Sequence, residues 1–144
     1  KKYIDRYFEE YEGVAEFVKN IVKTAEKEGE VKTYYGRKRK IEGIISSNKN
    51  IKSQAERMAV NSVIQGTAAD ILKIVMIKIN EKIRDKSDIK MVLQVHDELI
   101  FEIKDESVEK SCLQIKEIME NSISFSNVKL EVNFAAGKKW SDTK

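Results

Sequence analysis

The stretch Lys90-Met-Val-Leu-Gln-Val-His-Asp-Glu-Leu-Ile-Phe-Glu-Ile103 contains two apolar runs that are separated only by His96 and Asp97. This pattern predicts a β-hairpin with these two residues at its tip. The predicted pairs are Val95 with Glu98, Gln94 with Leu99, Leu93 with Ile100, Val92 with Phe101 and Met91 with Glu102. Apolar residues then occupy both faces, so we expect the hairpin to lie centrally in a sheet that is covered at least in part on each side.

The tip of this hairpin breaks a local preference. Two-residue hairpin turns need positive backbone φ angles and favour glycine, but His96 and Asp97 include none. A His, an Asp and the following Glu98 at the end of an apolar hairpin indicate a functional site, where local preferences give way to chemistry. The alternative is a plain polar turn in which Asp97 tolerates the left-handed conformation.

Composition limits the class of protein. The chain has 144 residues, of which 35% are charged and 41% hydrophobic, as expected of one soluble globular domain. No apolar run approaches the roughly 20 residues of a membrane helix and no signal peptide is visible, so we expect no membrane contact. A single cysteine, Cys112, excludes an internal disulfide and fits the reducing cytoplasm. Because the first residue is lysine, we expect the chain to be part of a longer protein.

Positive charge is concentrated in one segment. Between Val31 and Arg57 there are eight basic and only two acidic residues, a local excess of six positive charges. The basic residues are Lys32, Arg37, Lys38, Arg39, Lys40, Lys49, Lys52 and Arg57. This segment predicts a phosphate-binding surface, and the alternative is a solvated basic loop.

The remaining elements follow from apolar periodicity and turn residues. We expect a helix over 1–28 that ends at Gly29 and divides near Gly13, then a small basic hairpin over 31–41 and a loop over 46–50. A long helix is predicted over 53–84, and another from Asp105 or Ser107 to Asn121. A last strand over 128–134 should pair beside the central hairpin. Together these elements predict an α+β domain in which hairpin 90–103 lies in an antiparallel sheet packed with helices.

The long helix carries two different rows of side chains. Its predicted buried stripe consists of Val60, Val63, Ile64, Ala68, Ile71, Leu72, Val75 and Ile79. Arg57, Asn61 and Gln65 form a polar row that is displaced from this stripe by about 60°. We therefore expect the polar row to line the edge of a groove. The alternative is that these side chains only form hydrogen bonds to neighbouring elements.

Several motifs in order resemble the carboxy-terminal part of the bacterial DNA polymerase I family, the family A DNA polymerases. The main ones are Gln65-Gly-Thr-Ala-Ala-Asp70 and Gln94-Val-His-Asp-Glu-Leu-Ile-Phe-Glu102. Shorter ones are Tyr7-Phe-Glu-Glu-Tyr-Glu-Gly-Val14, Tyr35-Gly-Arg-Lys-Arg39, Ser46-Ser-Asn48 and Ala55-Glu-Arg57. The resemblance covers essentially the whole chain. It implies a partial right-hand polymerase fold, with about 1–50 as the end of the fingers and basic hairpin and about 51–144 as the palm.

The resemblance also implies roles for individual residues. Asp97 and Glu98 would be the carboxylates of motif C that bind Mg²⁺, and His96 would lie near the primer terminus. Arg57, Asn61 and Gln65 would face the minor groove of the primer-template, with Arg37, Arg39 and Lys52 as further DNA-binding residues. The implied reaction is template-directed DNA synthesis, in replication and repair, from a dNTP by two Mg²⁺ ions.

Parts of the family pattern are missing from this sequence. The second metal-binding Asp of motif A and the triphosphate-binding residues of motif B would lie upstream, in the remainder of the polymerase chain. Two prolines common in the family are replaced near Glu42-Gly43 and Ser62-Val63, which affects only the local backbone. We therefore expect the isolated chain to be inactive and, with an exposed sheet edge, to self-associate.

Two other classes of protein remain as alternatives. One is another two-metal phosphotransfer enzyme or nuclease, for which Asp70 and Glu102 are the only nearby candidates for a second carboxylate cluster. The other is a non-enzymatic nucleic-acid-binding module that uses the basic segment 31–57.

Overall fold

Helices and two small antiparallel sheets form the regular structure in the described residues, 2–123, 125 and 128–143, of the computed structural model. The helices are α1 (Lys2–Glu10), α2 (Glu12–Glu28), α3 (Lys49–Ile83) and α4 (Val108–Asn121). The strands are β1 (Glu30–Lys32), β2 (Lys38–Lys40), β3 (Ile89–Val95) and β4 (Glu98–Ile103). Short 3-10 turns cover Asp105–Ser107 and Trp140–Thr143. This mixture confirms the α+β class.

Contacts divide the chain into two compact units, Lys1–Asp70 and Ile71–Lys144, and α3 contributes residues to both. The boundary between units lies about 20 residues beyond the predicted end of the fingers part. The assignment of the two parts to fingers and palm stays a prediction.

The first unit begins with the predicted helix in two pieces. The break falls at Tyr11, whose ψ of 66° is not helical, rather than at Gly13, which lies in the first turn of α2. Gly29 ends α2 in the left-handed conformation, with φ of 69°, and its N–H donates to the carbonyl of Ala25. The basic hairpin follows as predicted but has shorter strands, with Val31 paired to Arg39.

The core of the first unit lies where the hairpin and the following loop meet the two long helices. It consists of Ala25, Val31, Ile41, Ile44, Ala55 and Ala59, with Ile21, Met58 and Val63 packed against it. Helix α3 begins at Lys49, four residues earlier than predicted, because the Asn48 side chain accepts a hydrogen bond from the N–H of Asn50 at 2.9 Å. Ala55 and Ala59 of this helix pack in the same core as Val31 of β1.

The predicted buried stripe of α3 is only partly right in its first half, where Val63 is partly buried against the core of the first unit. Ala55, Ala59 and Ser62 are buried there, whereas Ile64 is 53% exposed and Ala68 is exposed. In the second half, Val75 and Ile79 are buried as predicted, together with Ile83. The prediction assumed one face for the whole helix, but each unit buries its own set of positions.

Helix α3 is also long and apolar enough to cross a membrane by length and composition, with a mean hydropathy of 1.3 over 18 residues. Mostly buried core helices of soluble proteins pass the same test, but only 6% of this window is buried. In this helix Asp70 forms an ion pair with Arg37, and Ala55 and Ala59 pack in the core of the first unit. The apolar content is higher than the sequence analysis expected, but it does not by itself indicate a membrane span.

The second unit is built on the β3–β4 hairpin, and its register is partly as predicted. Val95 pairs with Glu98, Gln94 with Leu99, and Leu93 with Ile100. The predicted pairs Val92 with Phe101 and Met91 with Glu102 are wrong, because Val92 is an extra residue in a bulge and Met91 pairs with Phe101. Met91 and Phe101 both contact the core, whereas Val92 is 52% exposed. The bulge therefore keeps the large apolar side chains on the core side.

Helix α4 and the second half of α3 complete the core of the second unit. Val75, Ile79, Ile83, Ile89 and Ile115 are its buried residues. Ser107 precedes α4 at the predicted N-cap position but makes no capping bond. Its hydroxyl instead hydrogen-bonds Asp88 and is the main cause that lowers the pKa of that carboxyl below its ordinary value.

The predicted strand over 128–134 is wrong. Val128 forms only an isolated bridge with Phe125, and 129–134 has no strand structure. Alternation identifies the two faces of a strand but supplies no neighbouring backbone for its hydrogen bonds, and here the N–H of Val132 donates to the Glu120 carboxylate instead. Within the described residues β3 and β4 form a two-stranded sheet, so the expected central position in a larger sheet is not met there either.

Candidate nucleic-acid groove and carboxylate turn

A groove of about 610 Å³ lies in the first unit, between the β1–β2 hairpin and α3. The residues that line it are Val31, Thr33, Arg37, Arg39, Gln54, Arg57, Met58, Asn61, Ser62, Gln65 and Gly66. All three members of the polar row are among them, so the row borders a groove as predicted. The row has this position because the neighbouring face of α3, with Ala55, Ala59 and Ser62, is buried.

Sequence reasoning missed three polar residues of this groove. Gln54 stands three residues before Arg57 and extends the polar row by one turn, a spacing that was visible in the sequence. Thr33 and Ser62 are buried to 8% exposure and gave no comparable signal, because short hydroxyl side chains also occur in cores. The hydroxyl of Ser62 donates to the carbonyl of Met58 at 2.6 Å.

Arg37 is fixed to α3 by two contacts. Its Nε donates to Asp70 Oδ1 at 2.7 Å and its Nη2 donates to the carbonyl of Gly66 at 3.0 Å. A Cβ atom at Gly66 would lie 2.8 Å from Cγ2 of Thr33, so the glycine permits the close approach of the loop to the helix. Arg37 thus contributes to the groove wall with a guanidinium that is already paired.

The other cations of the basic segment divide into paired and unpaired groups. Lys32, Lys38 and Lys52 form ion pairs with Glu28 at 4.0 Å, Glu30 at 2.7 Å and Glu26 at 2.7 Å, respectively. Lys52 does not line the groove, and its hydrogen bond to Glu26 raises its pKa above the ordinary value. Within the described part of the chain, Arg39 and Arg57 line the groove with no carboxylate at ion-pairing distance. These two guanidinium groups are its available positive charges.

The second candidate site is the turn between β3 and β4. His96 adopts a φ of 53°, and it is the only non-glycine residue with a positive φ among the described residues. The alternative interpretation assigned this conformation to Asp97, but the structure places it at His96. The carbonyl of His96 accepts a hydrogen bond from Gln94 Nε2 at 2.6 Å, which supports the unusual turn. Asp97 and Glu98 follow directly and are both exposed.

The carboxylates of this turn border a cavity of about 840 Å³ in the second unit. Strand β4, α4 and the segment 131–143 form its walls. Across the described ranges, no three His, Cys, Asp or Glu side chains are grouped so that they could hold a metal ion. Asp97 and Glu98 are therefore an exposed pair of carboxylates and not a complete set of metal ligands within those ranges.

Neither candidate for a second carboxylate cluster belongs to a group of metal-binding side chains within the described residues. Asp70 is 8% exposed and forms its ion pair with Arg37 in the first unit. Glu102 lies on β4 opposite Lys90, four residues from Glu98, which is about 13 Å along a strand. The second carboxylate cluster that the nuclease alternative requires is not found in the described part of the chain.

Nearly the whole chain is similar in sequence to bacterial proteins named DNA polymerase I. DNA polymerase I of Bacillus caldotenax is 42% identical over 144 residues, and that of Lactococcus lactis subsp. cremoris (strain MG1363) is 43% identical over 145 residues. These matches cover 99% and 100% of this chain but only 16% of each relative, so the chain spans about 16% of their length.

A solved polymerase structure also matches nearly the whole chain. The POL domain of Pol1 from M. smegmatis, in complex with DNA primer-template and dNTP, has a TM-score of 0.90 and 35% sequence identity. It matches 97% of this chain and 25% of that one, which confirms the predicted partial polymerase fold. The sequence profile described as DNA polymerase family A matches residues 1–142. The chain therefore belongs to the family A DNA polymerases.

Proposed function

We propose that this chain is part of a cytoplasmic DNA-directed DNA polymerase, in which it supplies a groove for primer-template DNA and two carboxylates of the nucleotidyl-transfer site. The observation that carries the proposal is the polar row of Arg57, Asn61 and Gln65 in one groove, in a chain of this family. The M. smegmatis structure holds DNA primer-template and dNTP, which supports the same partners here. Replication and repair are the processes that such an enzyme serves.

The chemistry of the groove suits a duplex of any sequence. Minor-groove edges present nearly the same acceptors at every base pair, so the amide donors of Asn61 and Gln65 would test pairing geometry without reading sequence. Arg39 and Arg57 would contribute attraction to phosphates, which is independent of sequence. Arg37 would act mainly as a fixed part of the wall, because Asp70 already pairs with it.

The carboxylate turn fits a partial Mg²⁺ site. Mg²⁺ is commonly held by one or two carboxylates together with substrate phosphates and water, and Asp97 and Glu98 are adjacent and exposed. When bound, Mg²⁺ would stabilise the attacking and leaving oxygens of the phosphoryl group. Asp97 and Glu98 would hold the ion and place negative charge at the hairpin tip. His96 would lie near the primer terminus, held in position by its turn.

The first prediction tests the groove by DNA binding. Arg57→Ala in the 144-residue chain is expected to weaken binding to a primer-template duplex and to reduce the salt slope by about one, because one phosphate contact is lost. Gln65→Ala is expected to weaken binding about three- to tenfold at unchanged slope, because a neutral hydrogen bond is lost. Fluorescence anisotropy at several salt concentrations measures both quantities.

Matched controls lie outside the groove. Arg84→Ala removes an exposed arginine that pairs with Asp85, and Asn80→Ala removes an exposed amide from the same helix α3. Both should bind DNA within about twofold of wild type. If the groove variants bind as well as these controls, the polar row has only a structural role and the groove assignment fails.

The second prediction concerns catalysis by the chain alone. The isolated 144-residue chain is expected to bind primer-template but not to extend it, because two carboxylates are too few for a two-metal site. A chimaera in which this chain replaces the matching segment of the Bacillus caldotenax polymerase should extend primers, unlike the isolated chain. The assays are primer extension with Mg²⁺ and dNTPs, and mass in solution by sedimentation, where we expect self-association of the isolated chain. Template-directed extension by a strictly monomeric chain would contradict this prediction.

A further inference from the structure

We propose that Asp70 is a positioning residue for DNA binding, which acts by holding Arg37 and the β1–β2 loop against α3 so that the groove keeps its shape. The inference rests on the proposed function of the groove. Asp70 itself is buried to 8% exposure and does not line the groove, whereas Arg37 and Gly66 do. The positioning effect that we propose for Asp70 therefore acts through Arg37.

The contacts of Arg37 form a clamp between loop and helix. Its guanidinium reaches Asp70 Oδ1 at 2.7 Å and the carbonyl of Gly66 at 3.0 Å, two points about one helical turn apart. The planar fork of a guanidinium holds two such acceptors in a fixed geometry, which an ammonium group cannot do. The side chain of Asp70 is only 11% exposed and that of Arg37 is 49% exposed, so the pair is shielded from solvent on its carboxylate side.

One further bond joins the same loop to α3, and two bonds within the helix and the loop support it. The N–H of Tyr34 donates to Thr67 Oγ1 at 3.0 Å, and the hydroxyl of Thr67 donates to the carbonyl of Val63 at 2.6 Å. Within the loop, the N–H of Arg37 donates to Thr33 Oγ1 at 3.1 Å. The loop is thus attached to α3 at three points within about one helical turn, Gly66, Thr67 and Asp70, directly beside the groove.

Electrostatics alone would give Asp70 the opposite effect on DNA. A carboxylate near a phosphate-binding groove repels DNA, so its removal should tighten binding and steepen the salt dependence. If Asp70 instead positions Arg37, its removal weakens binding although the chain gains one positive charge. The sign of the change therefore separates the two roles.

The experiment compares Asp70→Asn with Glu30→Gln in the 144-residue chain. Glu30 pairs with Lys38 at 2.7 Å, the distance that also separates Arg37 and Asp70, and Lys38 lies in the same hairpin as Arg37. Glu30 does not line the groove. Both variants remove one negative charge, so the net charge of the chain rises by one. We expect Asp70→Asn to weaken primer-template binding roughly fivefold or more, as is typical of coupled sites, and Glu30→Gln to bind as tightly as wild type or slightly tighter.

Hydrogen exchange gives a readout that does not depend on DNA. In Asp70→Asn we expect faster exchange of the Tyr34 amide, whose bond to Thr67 depends on the position of the loop, and no change at Gly29. Arg37→Lys keeps the charge and the Asp70 carboxylate, so it serves as the second variant if Asp70→Asn does not fold. Arg37→Lys should also weaken primer-template binding and make exchange of the Tyr34 amide faster.

Specific results would overturn the proposal. If Asp70→Asn binds DNA as tightly as Glu30→Gln, or if Tyr34 exchange is unchanged in a folded variant, Asp70 does not position the loop. Absence of DNA binding by the wild-type chain would instead contradict the proposed function. The exchange measurement would still report in that case whether the clamp exists.

Discussion

Replacing Asp97 by alanine in the chimaeric polymerase that carries this chain is expected to lower the rate of primer extension by about 10²- to 10⁴-fold. The reason is that Asp97 offers an exposed carboxylate at the tip of a fixed hairpin, as part of the proposed cation site. DNA affinity should remain within about twofold, because it derives mainly from phosphate contacts made elsewhere. Single-turnover extension and duplex anisotropy separate these two quantities.

The matched control for this prediction is Asp85→Ala. Its side chain is 90% exposed and lies in the loop between α3 and β3, away from the hairpin tip. This variant should extend primers at the wild-type rate. Extension by Asp97→Ala at a rate comparable to that of Asp85→Ala would show that the hairpin tip is not part of the catalytic site.

The sequence predicted the parts of the hairpin that local chemistry determines. A two-residue polar break between apolar runs fixes the tip, and the first three pairs follow from it. The bulge at Val92 could not be read in the same way, because either Val92 or Met91 can supply an apolar side chain opposite Phe101. Only the shape of the core selects Met91.

Long-range contacts limited the prediction of α3 and of the groove. Periodicity identified the helix and its polar row, because both depend on spacing within one element. It did not reveal that Ile64 is exposed or that Asp70 pairs with a residue 33 positions earlier in the chain. From the sequence alone Asp70 was a candidate for a carboxylate cluster, whereas in the structure it pairs with Arg37. The strand predicted over 128–134 failed for a related reason, since alternation does not supply a hydrogen-bonding neighbour.

The core beneath the β3–β4 hairpin can be tested through Ile79. This side chain is fully buried and packs in the cluster that also contains Ile89 of β3. Ile79→Ala should lower the free energy of unfolding by about 2–5 kcal/mol, the sum of lost transfer energy and a residual cavity. Such a loss is a large part of the 5–15 kcal/mol that stabilises a typical domain. Urea unfolding followed by fluorescence of Trp140, the single tryptophan, measures it.

Ile77→Ala is the control, because Ile77 lies two residues away on the same helix and is 60% exposed. Its free energy of unfolding should stay within about 0.5 kcal/mol of wild type. Equal destabilisation by the two variants would contradict the assignment of the core. If Ile79→Ala alone destabilises, the hairpin that carries Asp97 and Glu98 depends on this core, since Ile89, Met91 and Phe101 pack in the same cluster. The position of the carboxylates is then set by apolar packing on the core face of the hairpin and not by the residues of the turn alone.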